Sequence, residues 1–357
     1  MLKVTVSNER FPESGQLAEW RELLEDAEFA TPFQTPAWTE SWLRHFGANK
    51  KPLWVTVRAQ GDLVGLFPLY VSSSPWRTLR PIGCGQSDYL NPLVRTGFVE
   101  GVANEIAQYL KTFRGADLVD LQQQPETLPF DNSGGETLEQ AACLVLDLPT
   151  SYEEYLKSLS KSLRFDCRRL GKPPFATGEA KVRQAEPDET EEAIGQFFRL
   201  HAQRWRKRGL PGSFATRQLK AFHTDAAANL ANEGSLRLTL LESGAETVGV
   251  LYGMQVGKTR FFYQCGFDPQ YKALSPGTLL VAKAIDCAIA EGCTTFDFMR
   301  GDEAYKRRWN PQRTRRNLRY IMPLNSGLGV VGGAINHAGS RIEAKVRERL
   351  EGRGFFG

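Results

Sequence analysis

The sequence predicts an α/β protein with mixed sheets, built as two successive three-layer α/β/α units. Three observations carry this reading. Short apolar runs recur in the same order in the two halves, and in each half a helix-like segment precedes a returning strand. A content of 41% hydrophobic and 11% aromatic residues over 357 positions is enough for two cores. The 45 basic and 41 acidic residues, net +4, exclude a histone-like polycation and a disordered polyelectrolyte.

In the first half, the turn Gln60-Gly61-Asp62 leads into Val64-Gly65-Leu66-Phe67-Pro68-Leu69-Tyr70, which reads as the second strand of a hairpin. The second half answers with Ser243-Gly244-Ala245 and Val248-Gly249-Val250-Leu251-Tyr252. Cys84-Gly85-Gln86-Ser87-Asp88 is then echoed by Cys265-Gly266-Phe267-Asp268, and Asp117-Leu118-Val119-Asp120-Leu121 by Thr294-Thr295-Phe296-Asp297-Phe298. Order and spacing together predict a duplication with its seam near Pro149-Thr150. The expected division is 1–149, 150–322 and a tail at 323–357.

Helices are expected between these runs. Val99 to Phe113 fills the place in the first copy. In the second, Ser275 offers a cap, Pro276 suits the first helical position and Gly292 suits the left-handed residue after the end. Leu279-Leu280-Val281-Ala282 and Ala284-Ile285 make that helix apolar almost all round, so it must be buried. A helical lead-in over Ser151 to Leu170 sets Tyr155, Leu159 and Leu163 on one face, and Lys157, Lys161, Arg164, Arg168 and Arg169 elsewhere. Glu189 to Arg208 places Ile194, Phe197, Phe198, His201 and Trp205 at helical spacing, and an amphipathic helix is expected from Ala334 to Leu350.

The first residues lack the basic-then-apolar pattern of a secretory leader, and no apolar run approaches bilayer length, so a cytoplasmic chain without a transmembrane segment is expected. Six scattered cysteines without a C-x-x-C pair read as reduced, mostly buried thiols, and no metal is expected.

Two stretches carry the expected chemistry. In Lys272-Ala273-Leu274-Ser275-Pro276-Gly277-Thr278, a helix start exposes main-chain N–H groups and Gly277 admits an anion closely, which is a seat for a pyrophosphate. An ordinary capped core helix reads the same way. In Phe296-Asp297-Phe298-Met299-Arg300-Gly301-Asp302-Glu303-Ala304-Tyr305-Lys306, alternation sets Asp297 opposite the two phenylalanines, and charges gather at the strand end. Such carboxylates and cations can take a proton, orient an amine or stabilise an oxyanion, although a solvated turn is the plain alternative. His201 shares its face with Phe197 and Trp205, so it reads either as a base beside a substrate or as a core histidine.

From about Tyr152 to Arg319, the run Leu159-Ser160-Lys161-Ser162-Leu163-Arg164, His201 and Trp205 ahead of a glycine, Gly266-Phe267-Asp268, Ser275-Pro276-Gly277-Thr278 and the segment from Phe296 to Lys306 together resemble the GNAT-superfamily acetyltransferases of the CelD type. That group is associated with cellulose or exopolysaccharide biosynthesis and is similar in plan to FemAB-type aminoacyltransferases, which carry two GNAT-like units in tandem. The resemblance implies a degenerate GNAT-like unit followed by an acetyltransferase unit. It implies acyl-CoA (acetyl-CoA) as co-substrate, and transfer to an amine or hydroxyl by direct attack without a covalent enzyme intermediate. The R/Q-x-x-G-x-G/A pattern usual before the pyrophosphate-binding helix is absent. On this resemblance Lys272, Ser275, Gly277 and Thr278 hold the donor, and Lys306 after Tyr305 stabilises developing charge. Asp297 or Asp302 orients or deprotonates the acceptor, Arg300 assists the oxyanion, Tyr305 or Tyr263 protonates the leaving group, and His201, Trp205 and Tyr263 meet the substrate.

Basic segments at Lys161 to Arg169, Arg204 to Arg208 and Lys306 to Arg319 call for an anionic small-molecule or glycan acceptor and not for DNA. Two rival readings stay open: a Fem-like enzyme using aminoacyl-tRNA, and a non-catalytic glycan- or nucleotide-binding partner.

Overall fold

A computed structural model describes residues 1–73, 76–127, 135–207, 209–210, 212–324, 327, 329 and 331–335. The expected amphipathic helix from Ala334 lies almost wholly outside them, as does Arg208. The chain divides into two compact units, 1–142 with 315–356, and 143–314 with 357.

Unit 1 contains β1 (Leu2–Ser7), α1 (Ser14–Glu25), α2 (Pro36–Phe46), β2 (Lys51–Ala59), β3 (Asp62–Ser72), β4 (Thr78–Pro81), β5 (Leu93–Val94), α3 (Val99–Thr112) and β6 (Leu118–Pro125). The division falls within β7 (Glu136–Asp147). Unit 2 continues with α4 (Tyr152–Ser158), α5 (Lys161–Cys167), β8 (Ala180–Gln184), α6 (Thr190–Arg206), α7 (Arg217–Asn232), β9 (Leu236–Ser243), β10 (Glu246–Val256), β11 (Thr259–Phe267), α8 (Pro276–Ala290), β12 (Thr295–Arg300) and α9 (Ala304–Arg307). The second division falls within β13 (Arg313–Pro323), so the chain from Arg315 returns to unit 1.

In unit 1 the strand order is β1-β2-β3-β4-β6-β13, with β5 beside β3; in unit 2 it is β7-β12-β11-β10-β9-β8. Both contain an antiparallel meander, β2-β3-β4 or β9-β10-β11, then a helix and a strand that returns parallel to the third, β6 on β4 or β12 on β11. The sequence echo is therefore an echo of structure, and the mixed α/β class is the observed one.

The echoed valine-glycine step has a packing cause. A Cβ on Gly65 would lie 2.6 Å from Val102 of α3, and one on Gly249 would lie 3.0 Å from Leu280 of α8. In each copy the glycine admits the crossing helix onto its sheet. One core gathers Val57, Val64 and Phe67 with Val102 and Ile106; the other gathers Leu251, Phe296 and Phe298 with Leu280, Val281 and Ile285.

The lead-in expected as one helix is two. Leu159 is extended, and Ser160 restarts the chain by accepting the N–H of Leu163 on its side chain. A serine oxygen that competes for a main-chain N–H ends one helix as readily as it begins the next. Tyr155, Leu159 and Leu163 nevertheless all reach the core.

Candidate active site

β11 and β12 pair only from Thr259 to Phe261 against Thr295 to Asp297. Beyond that point each carries an irregularity on its other side. Tyr263 is the extra residue where β11 shifts register against β10, and β12 shifts against β7 between Asp297 and Arg300. Bulges bend and twist a strand locally, so the parallel pair parts into a V. Phe262 and Phe298, with ring centres 6.2 Å apart, close its throat. Past the throat β11 and β12 no longer pair with each other, and on the β12 side the Met299 N–H is taken by the Asp297 carboxylate.

α8 begins beside this V. Ser275 holds the position before the helix in a left-handed conformation (φ +54°), and its side chain makes no capping bond. Its hydroxyl instead accepts from Arg169 at 3.2 Å, and a second Arg169 nitrogen donates to the Ala273 carbonyl. The expected cap is therefore replaced by a side chain from beyond α5. The N–H groups of Thr278 and Leu279 both donate to the Ser275 carbonyl, and Pro276 has none. The expected cradle of several amides thus narrows to that of Gly277. A Cβ there would meet the Phe267 ring at 3.4 Å, an ordinary contact, so β11 and the helix mouth are neighbours. Arg169 and the exposed Lys272 add positive charge, and the fit to an anion rests mainly on these cations.

At the far end of β12, Asp297 is fully buried and its Oδ1 accepts the N–H of Met299 at 2.7 Å. Met299 has φ +54°, uncommon for a residue with a side chain. Lys306 is 3% exposed, and its Nζ donates to the carbonyls of Arg300 (2.8 Å) and Gly301 (3.3 Å) and lies 2.9 Å from the Glu303 carboxylate. Two carbonyl bonds and an ion pair thus tie Lys306 to the turn that follows β12. Asp302 is exposed and ion-paired with Arg307. Arg300 is half-buried. Burial pushes the Tyr305 phenol well above its usual range, with the Glu303 and Cys265 charges adding and Arg204 opposing, so it stays protonated at neutral pH.

His201 belongs to a core. It is 2% exposed, its Nε2 accepts the indole N–H of Trp205 at 2.8 Å, and Phe197 and Phe214 flank it. Burial, with Arg204 nearby, lowers its pKa to about 4. A base beside substrate is thereby replaced by a neutral core histidine, and Trp205 is drawn into the same cluster. Tyr263 is half-buried, 5.3 Å from Tyr252 and 5.6 Å from His223 between ring centres.

Sequence reasoning missed two features. Arg204 was visible only as one member of a basic run. Its guanidinium lies 5.0 Å from the centre of the Phe267 ring, and no acidic partner pairs with it among the described residues. Arg199 and Arg206 of the same helix instead bond the carbonyls of Thr247 and Ala202. Arg204, Phe267 and Gly277 therefore make a wall leading from α6 to the mouth of α8. The second feature is the difference between the copies. In unit 1, β4 and β6 likewise pair for only two residues, but Asp120, fully buried, bridges Arg80 (3.0 Å) and Arg319 (2.6 Å). In unit 2, by contrast, the Asp297 carboxylate turns onto its own strand. No spacing rule distinguishes the two aspartates.

Residues 161–307 match a protein-family model. The match is to the acetyltransferase (GNAT) domain. This GNAT-matched segment runs from α5 to α9 and holds the whole V, α8 and the β12 exit. Among solved structures the chain is similar to FemX (TM-score 0.68, 11% identity, covering 89% of this chain and 98% of that one). It is also similar to a tandem GNAT protein from the clavulanic acid biosynthesis pathway (0.51, 11%, 92% and 100%) and to L-PGS from Bacillus licheniformis (0.51, 13%, 87% and 97%). At such identities the likeness is one of fold. No curated protein matches the chain. Among the described residues there is no group of metal-ligating side chains, and no helix is long and apolar enough to cross a membrane.

Proposed function

We propose that unit 2 transfers an acyl group, acetyl being the simplest, from acyl-CoA to an amine or hydroxyl by direct attack. The observation that carries this is the parting of β11 and β12 beside the start of α8, inside the GNAT-matched segment. In this reading the thioester lies in the V between the parted strands. Lys272, Arg169 and the Gly277 amide face the donor's phosphates, and Arg204 stacked on Phe267 gives an anionic substrate group a bidentate partner.

The acceptor's lone pair forms the new bond to the carbonyl carbon, the C–S bond breaks, and the proton given up by the acceptor nitrogen or oxygen ends on the departing thiolate, which leaves as the CoA thiol. Tyr305, held protonated by burial, is suited to hydrogen-bond that thiolate. Asp297 and Lys306 act as positioning residues that keep β12 bulged and its exit turn closed. An anionic glycan of the cell envelope or of an exopolysaccharide, or a small anionic molecule, is the acceptor class this reading favours.

Calorimetric titration of the full chain with acetyl-CoA and CoA tests the reading. Saturable binding that Gly277→Asp weakens at least about tenfold supports it. No CoA binding overturns it and leaves aminoacyl-tRNA as donor, the second reading, which the basic α4–α5 run and the fold likeness to FemX favour.

A further inference from the structure

We infer that the α4–α5 face of unit 2 docks on an anionic lipid bilayer. Between Lys157 and Lys172 the chain carries six cations and one carboxylate, Asp166. Charge alone at a helix surface is usually just solvated. What distinguishes this face is Phe165, which is 60% exposed and is the only large hydrophobic side chain exposed among the described residues of unit 2.

Its surroundings fit an interface between water and lipid. Leu163 and Cys167 turn inward from α5, while Phe165 stands outward with the Lys172 ammonium 5.1 Å from its ring. Lys161 and Arg168 are exposed on either side. The acidic groups facing this surface are Glu153, which pairs with Arg168 at 3.2 Å, Glu154, and Asp166, 3.8 Å from Arg308. They leave the face strongly positive. An aromatic ring entering the acyl boundary while lysines stay at the phosphate level is the physics of reversible attachment to acidic membranes.

A single-stranded nucleic acid fits less well, because it needs successive stacking rings along a groove and this face presents one. Through Arg169, bonded at Ser275 and Ala273, the face continues to the mouth of α8, so docking brings the V to the headgroup layer. The inference does not depend on the identity of the donor.

The test is co-sedimentation of the full chain with vesicles of phosphatidylcholine alone, or with about one-third phosphatidylglycerol. The expected result is partitioning at least about tenfold stronger onto the anionic vesicles and reversed by salt. Phe165→Ser and the pair Lys161→Glu with Lys172→Glu should each remove most of it. Lys161 is the first residue of α5, where a carboxylate suits the helix dipole, so lost binding there is not lost folding; circular dichroism of each variant checks this. Equal binding to neutral vesicles, no binding, or binding indifferent to Phe165→Ser would overturn the inference. So would tighter, Phe165-dependent binding to oligouridylate.

Discussion

The carboxylate of Asp297 bonds the main-chain N–H of Met299 two residues ahead at 2.7 Å, holding a left-handed residue inside a strand. This contact fixes the bulge of β12 against β7 and thereby the far wall of the V. It is also entirely interior, with Asp297 fully buried.

Asp297→Ala should destabilise the protein by about 2 kcal/mol, since it leaves a strained, buried N–H unpaired. Asp297→Asn keeps an oxygen for Met299 and should recover much of the loss. Denaturant melts combined with turnover separate the roles: a positioning aspartate predicts that Asn is far more active than Ala. Equal inactivity with full stability would instead point to direct participation in proton transfer.

Lys306→Ala should cost about 3 kcal/mol, because Glu303 is left without its cation and two carbonyls without a donor. Adding Glu303→Gln should return part of that loss, a coupling that a double-mutant cycle reads directly. If Lys306→Ala melts like the parent and only turnover falls, the lysine serves the reaction and not the turn.

The two valine-glycine steps can be compared. Gly65→Ala drives a methyl to 2.6 Å from the branched Val102, with Val57 also at 3.2 Å, and should destabilise by about 2 kcal/mol. Gly249→Ala meets the flexible end of Leu280 at 3.0 Å, with Leu241 and Phe267 at ordinary contact distances of 3.4 and 3.6 Å, and should cost less than about 1 kcal/mol. Thermal melts of both variants check the order, and a larger loss at Gly249 would contradict the packing account.

Acid should weaken unit 2 early. His201 and His223 are buried neutral, with burial lowering their values to about 4 and about 3, against about 6.5 in the unfolded chain. Between these limits the unfolded state binds more protons. Stability is therefore full above about pH 6.5 and falls as pH drops toward 4, by up to about 1.4 kcal/mol per pH unit for each histidine. Chemical denaturation across this range measures the slope. His223→Phe should flatten it by one proton, and an unchanged slope would mean that His223 does not titrate on unfolding.

Much of this was legible in the chain. Periodicity marked the helices, turn residues marked the hairpins, and the repeated Val-Gly, Cys-Gly and aspartate runs exposed the duplicated plan, because each is a local signal set by one element's own geometry. Leu279 to Ile285 could belong only to a buried helix, and the structure buries it. The resemblance drawn from about Tyr152 to Arg319 agrees in its GNAT part with the match over 161–307, which does not reach as far as the CelD type.

The tertiary structure decided which side chains meet. That Lys306 is tied to the Arg300 and Gly301 carbonyls, that Arg169 takes the Ser275 hydroxyl, and that Arg204 rests on Phe267 all depend on atoms brought together from separate elements. The same holds for Asp120 and Asp297, alike in sequence context yet bound to different partners. Residue type and spacing set each strand and helix, whereas hydrogen-bond partnership and burial are properties of the packed whole, and those decide whether a charge serves the fold or faces a substrate.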